Sequence, residues 1–279
     1  MPFIQASRDA ILKPLMTVAG IVEKRHTMPI LANVMMRKDA ERVSFLASDA
    51  EIQISTTAEL GTGSESAATT VSARKLIDIL RALPENIDVS LRVDDKRATI
   101  QAGRSRFTLQ TMPVEDFPTL KTDHDWPASF TLAQKQLRHL FQMVHFAMAV
   151  QDVRYYLNGL LLVTSRDRLR VVATDGHRLA YSEATIDAAA LPQREVIIPR
   201  KSVIELQRLL SDTDDPVHVD IADGQLRLRF SEVEFVTKLV EGKFPDYQRV
   251  IPAAHSKRFL VPREVFAASL SRASILTSD

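Results

Sequence analysis

The 279-residue chain contains no cysteine. That absence excludes a disulfide framework and any cysteine-ligated metal centre, and it suits a reducing cytoplasm, where the protein is expected. Long hydrophobic runs are missing too. No stretch approaches the ~20 apolar residues of a membrane span. The N-terminal MPFIQASRDAILKPLM mixes acid and base within its first turns, unlike a signal peptide. Charge of one sign is equally scarce, because 36 Lys and Arg nearly cancel 35 Asp and Glu for a net charge of +1. Any charge-driven partner must therefore be sought in where the charges sit. The P-loop, dinucleotide-binding, zincin and nucleophile-elbow patterns are all absent, and the seven histidines show no metal-ligand spacing. We expect no cofactor, no metal site and no catalytic residue.

What the chain does have is a long internal repeat. Phe3-Ile4-Gln5, Phe130-Thr131-Leu132 and Phe259-Leu260-Val261 each open an amphipathic segment, at offsets of 127 and 129 residues. Within the first two units ILANVMM around Asn33 matches YLNGLLL around Asn158, and Ser48-Asp49-Ala50 matches Thr174-Asp175-Gly176. Arg74-Lys75 matches Arg200-Lys201, and Asp116-Phe117-Pro118 matches Lys243-Phe244-Pro245. A period this long marks duplicated domains rather than a solenoid. We expect domains at 1–122 and 128–252, and the start of a third at 256–279, so that the natural protein continues beyond Asp279.

Each unit carries helical and alternating segments. Ile11, Leu12, Leu15, Val18, Ala19 and Val22 form a helical stripe in which Pro14 predicts a late start or a kink. Thr131-Leu132-Ala133-Gln134 has the form of a capping box, followed by Leu137, Leu140, Phe141, Val144 and Met148 on one face. Shorter helices fit 74–83 and 200–210. Runs such as VSLRV, ATIQA, LRLRF and VEFVTKLV alternate as half-buried antiparallel strands do, with turns at Asp94-Asp95 and Asp223-Gly224. The expected class is α+β, with tandem repeated domains and helices on one face of antiparallel sheet.

The four helical segments (7–25, 73–83, 134–149 and 199–210) hold 12 basic and 4 acidic side chains. Their surplus of eight, against +1 for the chain, leaves a net −7 elsewhere. Helices that hide apolar stripes on a sheet turn their charges outward, so a common helix side would be strongly positive. That is the footprint of a surface that follows a nucleic-acid backbone. For any single helix, Lys and Arg serving only as good helix formers explains as much. The same sign in all four favours the binding surface. Glu23-Lys24-Arg25-His26 and Gln151-Asp152-Val153-Arg154-Tyr155-Tyr156 add loops suited to phosphate contact and base stacking. The two tyrosines also fit the start of a strand, one of them buried.

Asp175 and His177 are the best catalytic candidates, in a hydrolase reading. Their matching segment Ser48-Asp49-Ala50-Glu51 lacks the histidine, and no nucleophile accompanies them. A structural turn or binding loop is the better account. A repeat-built scaffold that binds only proteins is the remaining alternative, and it lacks any use for the basic helices.

HTMPILAN (26–33), GRSRFTLQTMPVEDFP (103–118), QDVRYYLNG (151–159), VATDGHRLA (172–180), VIIPRKSVIEL (196–206) and FPDYQRV (244–250) resemble the bacterial β sliding clamp family, the processivity subunit of DNA polymerase III. The resemblance spans the whole chain. It implies a non-catalytic accessory subunit with three similar domains per chain. Two chains would close head to tail around duplex DNA, helices lining the hole and sheets outside. Arg25, Arg74, Gln151, Tyr155 and Tyr156 fall on the family's DNA-contacting positions. Leu157, Thr174, Gly176, His177, Arg178, Leu179, Pro245, Arg249 and Val250 match its pocket for linear peptides of polymerases, clamp loader and repair factors. Lys75, Ile79, Leu83, Arg104, Arg106, Phe107 and Leu109 match one side of the ring interface, and Ile275 and Leu276 a small part of the other.

Overall fold

The computed structural model describes residues 2–23, 28–94, 96–186, 191–252, 254 and 256–277. It contains one unit of Met1–Phe244 and a second of Pro245–Asp279. Within the first unit the repeat is visible element by element. The leading repeat runs β1 (Ile4–Ser7), α1 (Arg8–Val18), β2 (Asn33–Asp39), β3 (Arg42–Ser48), β4 (Ile52–Glu59), β5 (Ala67–Ser72), α2 (Ala73–Ala82), β6 (Asp88–Asp94), β7 (Arg97–Ala102) and β8 (Ser105–Met112). The following repeat has the same order: β9 (Ala128–Ala133), α3 (Gln134–Val144), β10 (Gly159–Arg166), β11 (Arg168–Thr174), β12 (Leu179–Thr185), β13 (Leu191–Pro199), α4 (Arg200–Leu209), β14 (Pro216–Ile221), β15 (Gln225–Phe230) and β16 (Val233–Lys238). The second unit contains the helix α5 (Arg263–Ser274), none of whose residues is buried.

The strands follow the period-2 pattern of their sequences. In β7 Ala98, Ile100 and Ala102 face inward, as Leu226, Leu228 and Phe230 do in β15. All pairings between named strands are antiparallel. One sheet runs β1-β6-β7-β8-β5-β2-β3-β4-β16-β15-β14-β9, and a second β12-β11-β10-β13. The β4–β16 pairing joins the repeats, with Ile54 opposite Phe235 and both fully buried. The helices cover the sheets from one layer. α1 packs on β3 and β4, α2 on β2 and β5, α3 on β11 and β12, and α4 on β10 and β13.

Two local expectations are corrected. α1 begins at Arg8, ahead of Pro14, so the helix does not start late. Pro14 is buried in the stripe with Ile11, Leu15 and Val18, and this burial offsets the hydrogen bond that its missing N–H forgoes. Thr131 does not cap α3 but lies in β9, where its hydroxyl meets His218 Nδ1 at 2.8 Å. Gln134 instead ties the helix start to the 211–215 loop, donating its backbone N–H to the Asp215 carbonyl and accepting from the Ser211 N–H through Oε1. The turn expected at Asp94-Asp95 lies partly outside the described residues.

One polar contact joins the two repeats, and another stays within the following repeat. Glu205 on α4 binds Arg208, whose guanidinium also donates to the Thr17 carbonyl at the end of α1 (2.7 Å). A methyl group at Gly20 would run into the Glu205 carboxylate. In the following repeat Asp220, almost fully buried, accepts from Ser129 Oγ (2.6 Å), Arg227 Nε (2.9 Å) and an Arg229 guanidinium nitrogen (3.1 Å). Arg227 in turn lies 4.4 Å from the centroid of the Trp126 ring. Burial works against the Asp220 charge, yet the Ser129 and Arg227 hydrogen bonds prevail and hold its pKa below the usual carboxylate range.

Gly20→Ala is expected to destabilise the protein by about 1–3 kcal/mol through overpacking, measured by denaturant unfolding. Asp220→Asn should cost about 1.5–3 kcal/mol at neutral pH, the range for hydrogen bonds to a charged group. Because the folded pKa is depressed, the wild-type advantage is full above the unfolded value of ~4 and is lost as pH falls through the folded one. The melting-temperature gap between wild type and Asp220→Asn should therefore narrow in acid.

Candidate nucleic-acid and peptide interfaces

The basic side chains of the helix layer divide into paired and unpaired groups. Lys135 binds Asp214, Arg208 binds Glu205, and Arg74 lies 3.9 Å from Asp78. Lys201 reaches Glu23 at 2.6 Å and Asp49 at 2.5 Å. Burial disfavours the Lys201 charge, but these two hydrogen bonds outweigh it and raise the pKa. Lys13, Lys75, Arg81, Arg138 and Arg200 form no salt bridge among the described residues. Arg74, Arg81 and Arg208 line one groove, floored by Met16, Ala19, Val22 and Ile77. The layer is thus positive, though carboxylates on the helices and adjoining loops temper it.

Of the DNA-contact candidates, Arg25 lies outside the described residues. Arg74 is exposed on α2, while Gln151, Tyr155 and Tyr156 share the loop after α3. Gln151 adopts a φ of 55°, the left-handed region, and is exposed. Tyr155 and Tyr156 do not begin a strand. They form a 3-10 turn with Leu157, ring centroids 5.8 Å apart and edge to face. Leu157 supplies the buried side chain of that turn, leaving Tyr155 57% exposed and Tyr156 half-buried. Both rings thus keep surface available for stacking.

Arg154, read from the sequence with the two tyrosines as suited to phosphate contact, organises this loop. Its guanidinium grips Asp152 through two nitrogens (3.0 and 2.8 Å) and donates to the Asp175 carbonyl at 3.2 Å. The Arg154 hydrogen bond lowers the Asp152 pKa to about 2. Through Arg154 the tyrosine loop is attached to the turn 174–178.

That turn is an Asx turn. Asp175 Oδ1 accepts from the N–H groups of Arg178 (3.0 Å) and His177 (2.9 Å), and Oδ2 from Arg178 Nε (3.0 Å). The Arg178 and His177 backbone donors are the main reason its pKa is lowered. The carboxylate is committed to its own turn and holds the His177 backbone, not a reacting group, so the hydrolase reading has no geometry behind it. Among the described residues no three His, Cys, Asp or Glu side chains are grouped to hold a metal ion.

Leu157 and Thr174 are buried, Leu179 is half-buried, and His177 and Arg178 are exposed. Gly176, at φ 89°, lies where a Cβ would touch the Arg154 guanidinium. Pro245, Arg249 and Val250 belong to the second unit, where Arg249 pairs with Asp246 at 2.8 Å and Val250 is exposed. For the ring-interface candidates, Lys75 and Leu109 line one groove between α2 and β8. Ile79 and Phe107 are half-buried, Leu83 is buried, and Arg104 and Arg106 are exposed. Ile275 and Leu276 are exposed in the second unit.

Residues 1–121 match the family described as DNA polymerase III beta subunit, N-terminal domain, and residues 131–246 match its central domain. A protein of Pseudomonas putida named beta sliding clamp is 42% identical over 274 residues, covering 98% of this chain and 74% of that protein. The beta sliding clamp of Escherichia coli K12 is 41% identical over the same shares. The crystal structure of a Pseudomonas aeruginosa DnaN sliding clamp bound to griselimycin superposes with a TM-score of 0.94 at 41% identity, covering 99% of this chain and 74% of that one. With its repeated fold, its basic helix layer and these matches, the chain belongs to the beta sliding clamp family, the non-catalytic beta subunit of DNA polymerase III.

Proposed function

We propose that this protein tethers the replicative polymerase to duplex DNA, with its helix layer turned to the DNA and its sheets outward. The observation that carries this reading is the continuity of the layer. α1 packs on α2 and α3 on α4, and Arg208 bridges α4 to the end of α1, so helices bearing surplus positive charge lie side by side. Long Lys and Arg side chains on such a surface neutralise phosphates without reading bases, which suits a partner that must slide.

On this reading Arg25 and Arg74 meet phosphates, Gln151 approaches the backbone, and Tyr155 and Tyr156 stack on exposed bases. Leu157, Thr174, Gly176, His177, Arg178 and Leu179, with Pro245, Arg249 and Val250, take the linear peptides of polymerases, clamp loader and repair factors. The apolar Leu157 and Leu179 would seat peptide side chains, and the exposed Arg178 would fix polar groups. The ring is a homodimer. Lys75, Ile79, Leu83, Arg104, Arg106, Phe107 and Leu109 form the first-repeat side of its interface, and Ile275 and Leu276 belong to the opposite side. Among the described residues, β8 over Ser105–Gln110 pairs on one side only and meets β5 at Thr111 and Met112, and this open edge supports a strand partner there. The protein acts in the cytoplasm; no helix among the described residues is long and apolar enough to cross a membrane.

Duplex binding followed by fluorescence anisotropy over a salt series tests the DNA assignment. Arg74→Ala should weaken binding equally on unrelated sequences and flatten the log–log salt slope by about 0.9, the value for one phosphate contact. An unchanged slope, or a preference for one sequence, contradicts the assignment.

A further inference from the structure

The groove between α1, α2 and α4 has a chemistry that phosphate contact alone does not call for. Among the described residues it encloses about 410 Å³. Met16 of α1, Ala19 and Val22 just beyond that helix, and Ile77 of α2 give it an apolar floor. An apolar floor favours an apolar occupant, because burial removes both surfaces from water. A phosphate has no such surface to bury.

The three arginines of the rim are held in two different ways. Arg208 is clamped. Its Nε and Nη2 both donate to Glu205 Oε1 (3.0 and 2.5 Å), Nη2 also to the Thr17 carbonyl (2.7 Å), and Nη1 to the Met16 carbonyl (3.4 Å). Every nitrogen of the guanidinium is thus committed along its edge, while the side chain stays 42% exposed. What remains to offer the groove is the flat face, which attracts the face of an aromatic ring. Arg74 and Arg81 are held more loosely. Arg74 lies 3.9 Å from Asp78, and Arg81 reaches the weakly accepting Met16 Sδ at 3.2 Å. They stand seven residues apart on α2, which is about 10.5 Å along the helix axis. Their long stems can close on two anionic groups from either end of the groove. Glu205 balances Arg208 and Asp78 tempers Arg74, so the surplus positive charge lies on the α2 side.

We propose that this groove takes an unstacked nucleotide of single-stranded DNA. The base lies on the apolar floor against the face of Arg208, and its flanking phosphates meet Arg74 and Arg81. A nucleotide within a strand is the occupant because it carries an aromatic plane between two anions, as the floor, the clamped guanidinium and the two loose ones require. Duplex DNA presents its phosphates alone, since its bases are paired and stacked. The assignment rests on the helix layer facing DNA, and it adds that the layer also holds a single strand, at a place separate from the tyrosine loop after α3. No base is selected, because every base has a π-face.

Fluorescence anisotropy with a labelled oligothymidylate and with a blunt duplex tests it, using the wild-type chain, Met16→Gln and Ala19→Phe. Met16→Gln makes the floor polar at nearly constant size and charge, and Ala19→Phe fills the groove. Each variant should bind oligothymidylate about tenfold more weakly, the loss expected of one stacked base, and blunt duplex as the wild type does. Oligothymidylate binding unchanged in both variants overturns the proposal, and so does an equal loss on duplex. A wild type that binds duplex but not oligothymidylate overturns it while the DNA-facing layer stands; one that binds neither overturns both. Oligothymidylate carrying 5-iodouracil is then photo-crosslinked and the adducts mapped by mass spectrometry. An adduct on the peptide bearing Met16 is expected, and adducts confined to Tyr155 and Tyr156 contradict the site. Circular dichroism verifies folding, and Val22→Asn replaces a variant that does not fold.

Discussion

A β-strand has two hydrogen-bonding edges, and the pairing of β4 with β16 uses one edge from each repeat. Most of the architecture depends on that single pairing. It joins strands of both repeats into one continuous twelve-stranded sheet, and it places Ile54 and Phe235 at a buried seam. It also fixes which sides of the repeats coincide, so that α1, α2, α3 and α4 share a layer. A slip of one residue in the seam would turn Phe235 away from the core. The Glu205–Arg208 clasp and the Lys201–Asp49 pair flank the seam and hold its register.

The electrostatics follow from that common layer. Charges that would be ordinary on isolated helices become a surface when four helices are aligned. The structure also shows how the surface is moderated. Asp78, Glu205 and Asp214 each sit beside a basic partner. Lys13, Arg81 and Arg138 form no salt bridge among the described residues. A tether that must hold DNA yet let it slide benefits from this balance, since strong fixed contacts would stall movement.

Much of the fold was legible in the sequence, for identifiable reasons. The repeat offsets anticipated the element order that recurs from β1–β8 to β9–β16, and period-2 alternation located strands such as β7, β15 and β16. The helix stripes were correct because burial on a sheet imposes them. The β4–β16 seam was not legible, because strands so distant in sequence carry no local signal of their pairing. Thr131 was misread as a cap because the capping pattern does not distinguish a hydroxyl at a helix start from one at a strand end. The strand start that Tyr155 and Tyr156 also fitted is a 3-10 turn instead, because aromatic residues beside an apolar run suit either. The clasp of Arg154 on Asp152 and the Asp175 carbonyl depends on two loops meeting, which no spacing announces.

The account's central claim is that the helix layer faces DNA while other surfaces do not. Lysine acetylation mapped by mass spectrometry, with and without duplex DNA, tests it most directly. Lys13 and Lys135, exposed on α1 and α3, should be protected by DNA, while Lys96 in the β6–β7 turn and Lys121 between the repeats should react unchanged. Protection of Lys96 and Lys121 with Lys13 and Lys135 unaffected, or no protection at all under conditions where DNA is bound, would contradict it.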